Sequence, residues 1–342
     1  MISFEFDHTD FFSLLRDLAA RLGTTVENGV MAIPPLFGQG YVRALHLPNG
    51  LSVCITENTL TTDIVLKRVR RESPYYILAF DDVRMSGTLQ QIVAGESEYI
   101  RPPVYAGVSL GSTLFDNTLI AHRNITLKGI RIMFPSSWLA RYFGIGKEDD
   151  LLAEYLSYKT RKLTMEPLDM EYRKWMDDVF QADLASPVYF ATMENRIMMM
   201  MERFFSRLEA NVKEAKFKKL EKSDIYTMMQ VEAELSDPHT EQLPSLEVLA
   251  ARYGLSEARM KRLFREIYGS PLYQYFQRCR LERARDMLMQ GGYSVKEAGL
   301  AVGYKGLSNF SRAFRHVYRV LPGEMLKQAV EWGRIPDHDN RK

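Results

Sequence analysis

The sequence predicts an α+β fold in two parts: a β-rich region with helices, then an all-α region built on two helix-turn-helix units. Three observations carry this. Between Tyr41 and Phe134 the chain runs in short alternating segments separated by turn residues, the pattern of strands. From Trp138 onward apolar residues recur at spacings of three and four, the pattern of helices. Between Pro244 and Ala329 one helical pattern occurs twice.

The repeat is specific. Arg262-Leu263-Phe264-Arg265 with Tyr268 behind it is matched by Arg312-Ala313-Phe314-Arg315 with Tyr318 behind it. Met260, Leu263, Phe264 and Ile267 follow the i, i+3, i+4, i+7 rule of a helix with one buried face, and so do Phe310, Ala313, Phe314 and Val317. The opposite faces are basic or small and polar: Ala258, Lys261, Arg262 and Arg265 in one copy, Ser308, Ser311, Arg312 and Arg315 in the other. Each copy follows a short helical run, Leu246–Tyr253 closed by Gly254-Leu255-Ser256, and Val295–Val302 closed by Gly303-Tyr304. Ser294 and Glu297 have capping-box spacing. Helix, glycine turn and basic helix is the arrangement whose second helix enters the DNA major groove. A purely structural helical core with solvated charges is the bland alternative, but the two exposed faces carry Arg at matching positions.

Between the units, Ser270 suits an N-cap, Pro271 the first helical position and Gly291-Gly292 a C-terminal stop. A helix over 271–290 is roughly 30 Å long at about 1.5 Å per residue. One turn of B-DNA is about 34 Å, so such a helix can hold two recognition helices in successive major grooves.

These residues resemble the DNA-binding domain of the AraC/XylS family. The first half is carried by Ser256, Arg262-Leu263-Phe264-Arg265, Tyr268-Gly269-Ser270-Pro271, Tyr275, Arg280-Leu281 and Ala284. The second is carried by Val302-Gly303-Tyr304, Ser308-Asn309-Phe310-Ser311-Arg312-Ala313-Phe314-Arg315 and Pro322. The resemblance covers about the last third of the chain. It implies a bacterial transcription regulator with double-stranded DNA as partner, and RNA polymerase as a further one. Three positions depart from the family pattern: Ala298-Gly299 where a larger aliphatic residue and Ala are usual, Arg319 where Gly is usual, and Leu321 before the Pro. Gly in a helix costs about 1 kcal/mol relative to Ala. The expectation is a less well packed second unit.

Charge follows the same division. The chain has 342 residues and a net charge of +2. Residues 244–330 hold 15 Lys and Arg against 7 Asp and Glu, and the rest of the chain 30 against 36. A basic end on an acidic body points to a polyanion partner for that end alone.

At the N-terminus, Asp10–Leu22 reads as a helix stopped by Gly23. Tyr41–Leu47 and Leu51–Glu57 flank Pro48-Asn49-Gly50 as a hairpin. Ile64–Val69, Tyr75–Phe80, Val104–Leu110 and Ile125–Phe134 are further strands. Their number and spacing suggest a small barrel or jelly roll, and the family resemblance implies a cupin-like ligand-binding domain. Helices follow at Trp138–Phe143, Leu151–Tyr158, Leu168–Phe180, Val188 to about 220 and Asp224–Leu235. Met193, Ile197, Met200, Phe204 and Leu208 form a stripe spaced by threes and fours. That stripe either packs on the sheet or forms a self-association seam, the second because the resemblance implies a homodimer.

Catalysis finds little support. His8, His46 and His122 are isolated, and no nucleophile motif or phosphate-binding glycine loop stands out. Two cysteines, Cys54 and Cys279, sit among apolar neighbours, which predicts buried, reduced thiols. No cofactor or metal is expected. The acidic first residues lack a signal-peptide layout and no apolar run spans a bilayer, so a cytoplasmic protein with no membrane partner is expected.

A small-molecule effector is the more plausible ligand. Tyr41, Arg43, Leu45 and Leu47 share one face of the first hairpin strand. If that face is inward, Arg43 needs a partner, either a protein carboxylate or an anionic ligand. Tyr41 and Tyr76 are candidates for the same wall. The assignment is therefore a sensor and dimerisation domain over 1–220 (β-rich about 30–135, helical about 136–220), a DNA-binding domain over 223–330 and a disordered tail over 331–342. DNA contacts are assigned to Glu257, Ala258, Lys261, Arg262, Arg265, Leu307, Ser308, Ser311, Arg312 and Arg315. The rivals are a regulator answering to a protein partner and an enzyme tethered to DNA.

Overall fold

The first helix shows how local chemistry sets the elements. Asp10 caps it, its carboxylate accepting from the Ser13 N–H at 2.8 Å, and Gly23 ends it in the left-handed region at φ 68°. The computed structural model describes residues 1–71, 75–100, 104–145, 166–213, 222–237, 240 and 243–331. The expected helix at 151–158, the end of the helix expected to run to about 220 and the tail after 331 lie outside them. The chain divides into two compact units, Met1–Lys222 and Ser223–Lys342.

Unit 1 begins with β1 (Ile2–Phe6), α1 (Phe11–Leu22), β2 (Val30–Ala32), β3 (Gly38–His46), β4 (Ser52–Leu60) and β5 (Ile64–Arg68). It continues with β6 (Tyr75–Met85), β7 (Leu89–Val93), β8 (Glu96–Ile100), β9 (Val104–Ser112), β10 (Asn117–Ala121) and β11 (Ile125–Pro135). Then come α2 (Ser136–Phe143), β12 (Glu166–Pro167), α3 (Met170–Phe180) and α4 (Tyr189–Lys213). Among the described residues the strands form two open sheets, β1-β5-β10-β7-β8 and β12-β9-β6-β11-β4-β3-β2, and no closed barrel. All neighbours pair antiparallel except β1 with β5.

The seven-stranded sheet has a period-2 division of faces. Val53, Ile55, Leu78, Phe80, Ile130, Ile132 and Phe134 face a core completed by α2, α3 and α4. Ala44, Cys54 and Met133 face the other way, onto Phe11, Leu15 and Ala19 of α1. The α4 stripe belongs to the first of these cores: Met193, Ile197, Met200 and Phe204 are 0% exposed and Leu208 1%. This corrects the seam reading. An apolar sheet face needs a cover, and α4 supplies it within one chain. Asp169 fixes the approach of α3 to α4 by capping α3 and accepting from Arg207 at 3.1 Å and from Arg203.

Unit 2 contains α5 (Lys222–Ser236), α6 (Leu246–Arg252), α7 (Glu257–Tyr268), α8 (Leu272–Gln290), α9 (Val295–Ala301), α10 (Leu307–Tyr318) and α11 (Pro322–Glu331). Among the described residues no helix is long and apolar enough to cross a membrane. Cys54 is buried, which pushes its thiol pKa up, whereas Cys279 is half-buried and not enclosed as expected.

Candidate nucleic-acid interface

Each helix-turn-helix unit is built from a capped short helix, a glycine turn and a longer amphipathic helix. In the first, Ser245 caps α6 by accepting from the Val248 N–H, Gly254 makes the turn at φ 66°, and Ser256 caps α7 by accepting from the Arg259 N–H. Met260, Leu263, Phe264, Ile267 and Tyr268 are buried. Glu257, Ala258, Lys261, Arg262 and Arg265 are exposed together on the far face. Arg259 is drawn off that face by Asp224 of α5, whose two carboxylate oxygens accept from it at 2.9 and 3.1 Å. Tyr253 donates to Glu234 at 3.0 Å, which further fixes α5 against the turn.

In the second unit Ser294 and Glu297 make both bonds of a capping box, at 2.8 and 3.2 Å. The Glu297 carboxyl is held below its usual range by the N–H and hydroxyl of Ser294. Leu307, Ser308, Arg312 and Arg315 are exposed, and Ser311 is half-buried. Phe310 and Phe314 are fully buried, but Val317 is 38% exposed, which corrects its assignment to the core face. The half-buried Tyr318 packs there with Arg285 of α8 over its ring at 5.7 Å.

The expected looseness at Ala298-Gly299 is also corrected. Ala298 is 0% exposed, and a Cβ on Gly299 would lie 3.0 Å from the Phe310 ring. The missing side chain is space that Phe310 occupies. Arg280 of α8 joins this unit from the other side, donating to the Val302 carbonyl and lying 4.4 Å from the Tyr304 ring centroid. Burial lowers its pKa.

The 19-residue α8 that links the units is roughly 28 Å long. It starts one residue later than expected. Pro271, not Ser270, takes the N-cap at φ −60° and ψ 141°, and no side chain caps it. Gly291 and Gly292 end the helix with φ of 82° and 86°. Glu232 of α5, fully buried, accepts from Tyr275 of α8 at 2.8 Å. Arg262, Arg265, Arg312 and Arg315 are exposed, and no acid among the described residues pairs with them, so four guanidinium groups stand free on the two matching faces.

In unit 1 Arg43 is 5% exposed and faces the α4 side of the sheet, as alternation along β3 predicts. Among the described residues it has no hydrogen bond or ion pair, and its Nε lacks a partner. Its guanidinium lies 5.8 Å from the Tyr41 ring centroid. Tyr41 donates to Glu57 at 3.4 Å. Tyr76 shares the face, but β11 and β4 intervene, and the register places Phe80, not Tyr76, in line with Arg43. The tyrosine within electrostatic reach of Arg43 is Tyr189 at the start of α4: burial raises its pKa, Arg43 opposing in part, and among the described residues its buried hydroxyl has no hydrogen-bond partner. No strand periodicity could have found it, because it comes from a helix laid over the sheet.

Among the described residues no group of three or more His, Cys, Asp or Glu is placed to hold a metal ion.

The family described as a helix-turn-helix domain matches residues 249–328. The HTH-type transcriptional regulator ArgR of Pseudomonas aeruginosa is 32% identical over 98 residues, covering 29% of this chain and 28% of the relative. The HTH-type transcriptional regulator GlxA of Rhizobium meliloti is 31% identical over 81 residues, covering 24% and 25%. A solved transcriptional regulator from Chromobacterium violaceum, with AraC-type DNA-binding domain in its description, is 28% identical over 31% of this chain and 89% of that one, with a TM-score of 0.27. The chain thus spans about a quarter of the length of these two curated relatives.

Proposed function

Residues 249–328 form an AraC-type helix-turn-helix domain, and from that premise we propose that the whole chain is a sequence-specific DNA-binding transcription regulator. The observation that carries this reading is the pair of matching exposed basic faces on α7 and α10, joined by one continuous helix. On it, Glu257, Ala258, Lys261 and Arg262 read one short element, and Leu307, Ser308, Ser311 and Arg312 read the other. Arg265 and Arg315, further along their helices, hold phosphates.

Control belongs to unit 1 on this reading. Arg43 is a buried cation that meets no carboxylate among the described residues, with the Tyr41 ring beside it and Tyr189 within its electrostatic reach. A small anionic effector supplies the missing charge and gains the Tyr189 hydroxyl as a donor. It shifts the regulator only as far as it binds one state better than another. The protein acts without catalysis, and RNA polymerase and a second copy of the chain are its protein partners. A homodimer then uses a surface other than the α4 stripe.

Genome-wide footprinting with the full chain tests the DNA reading: protected sites with two short elements support it, and uniform weak protection opposes it. Thermal melts against a panel of small organic acids test the control. A ligand that binds the folded state raises the melting temperature, and no rise with any acid favours control by a protein partner.

A further inference from the structure

Arg319 has a backbone φ of 64°, in the left-handed region, where any residue with a Cβ is strained. It is the C-cap of α10, and its N–H donates to the Arg315 carbonyl at 2.9 Å. The matching C-cap of α7 is Gly269, at φ 72°, which adopts the same backbone without strain. The fold asks for glycine at this turn, and the second unit has arginine.

Among the described residues nothing explains the exchange. Arg319 is exposed, and among the described residues its side chain makes no hydrogen bond, ion pair or ring contact. What it does is extend a surface. Ser311, Arg312, Arg315, His316, Arg319 and Leu321 border one open depression along α10. Arg312, Arg315 and Arg319 fall at spacings of three and four, so they share a helix face that continues past the helix end. The corresponding depression on α7 is bordered by Ala258, Lys261, Arg262, Arg265 and Glu266. An acid stands there where α10 has His316, and no cation follows it. A helix C-terminus also favours a cation, but Arg315 and His316 already occupy that last turn.

A strained residue that its own fold does not use points to a function outside the fold. We propose that Arg319 is a DNA phosphate clamp, specific to the second unit, that grips the backbone beside the element met by α10. This rests on the DNA-binding reading above. The site takes a phosphodiester oxygen and not a base edge. Bases are contacted from the N-terminal part of a recognition helix, and Arg319 lies seven residues beyond Arg312. A guanidinium there can hold two phosphate oxygens at once.

The test uses the full-length protein and a labelled mixed-sequence duplex of about 30 base pairs, long enough for a two-groove site, with affinity measured from about 50 to 200 mM KCl. Arg319→Gly removes the cation and relieves the backbone. It should reduce the slope of log affinity against log salt by about 0.9 and weaken binding roughly eightfold near 0.1 M salt. Its melting temperature should stay equal or rise. Arg319→Lys keeps the charge and should keep the slope. Lys174→Met, an exposed cation of unit 1, controls for net charge and should leave the slope alone. Wild-type binding matched by Arg319→Gly in slope and affinity overturns the clamp while the DNA reading stands. No binding by the wild type overturns both. A slope lost equally in Arg319→Lys, or in Lys174→Met, also overturns it.

Discussion

The Cβ that Gly299 lacks would lie 3.0 Å from Cδ1 of Phe310, closer than nine in ten real Cβ contacts. Helix propensity favours alanine at this position by about 1 kcal/mol. Packing opposes it, because the added Cβ would force the fully buried Phe310 ring to shift by a few tenths of an ångström. Overpacking a filled core costs about 1–3 kcal/mol. Gly299→Ala should therefore destabilise unit 2 in a chemical melt. A stabilised variant would show that the ring yields and that the second unit is loose.

Arg43 and Ile55 are paired across β3 and β4, and no carboxylate among the described residues meets the guanidinium. Removing one partner of a buried ion pair costs about 3–5 kcal/mol because the other charge is stranded. Here there is no such partner. Arg43→Met should leave the ligand-free stability unchanged or higher, and should abolish any acid-induced rise in melting temperature. A loss of several kcal/mol without ligand would mean that a protein carboxylate pairs with Arg43 in solution.

Ile197 and Phe204 are both 0% exposed beneath the seven-stranded sheet. Changing either to Asp buries an unpaired charge, which the fold escapes only by opening or by neutralising the acid. The expected outcome is loss of unit 1 structure, on the order of 4 kcal/mol or more, seen by circular dichroism and protease sensitivity. A folded monomer by hydrodynamic mass would restore the stripe as a dimer seam.

Arg262 and Arg265 occupy one face of α7, in its second and third turns. Arg262→Ala should cost about 1–3 kcal/mol on a mapped site and relax base choice at one position. Arg265→Ala should weaken all sequences alike and reduce the salt slope by about 0.9. Binding-site selection with each variant at two salt concentrations separates the roles. A sequence-dependent effect of Arg265→Ala would reverse the assignment.

What was legible in the sequence had a short-range cause. The Ser294–Glu297 capping box, the Gly23 stop of α1, the β3–β4 turn and the buried faces of α7 each depend on residues within one or two turns of each other. Strands β7 and β8 were missed because Gln90, Gln91, Glu96 and Glu98 give them a polar reading. Their hairpin turns on Ala94-Gly95, with φ of 50° and 84°, in place of the usual Asn-Gly. Long-range facts were not legible. The Tyr189–Arg43 proximity joins a helix to a strand far away in sequence, and the tolerance of Gly299 depends on a ring eleven residues on. Val317 obeys the helical period yet stays exposed, since periodicity marks a face but cannot say how far the neighbouring elements cover it.

On the proposed function, one chain reads two DNA elements with α7 and α10 held apart by the 19-residue α8. Once a site is mapped, five base pairs inserted between its elements turn one of them to the opposite side of the duplex. A continuous helix cannot follow that rotation, so affinity should fall to that of a site with a single element, and ten inserted base pairs should not restore it. Full affinity retained on the five-base-pair insertion would contradict the account and leave one working helix-turn-helix unit.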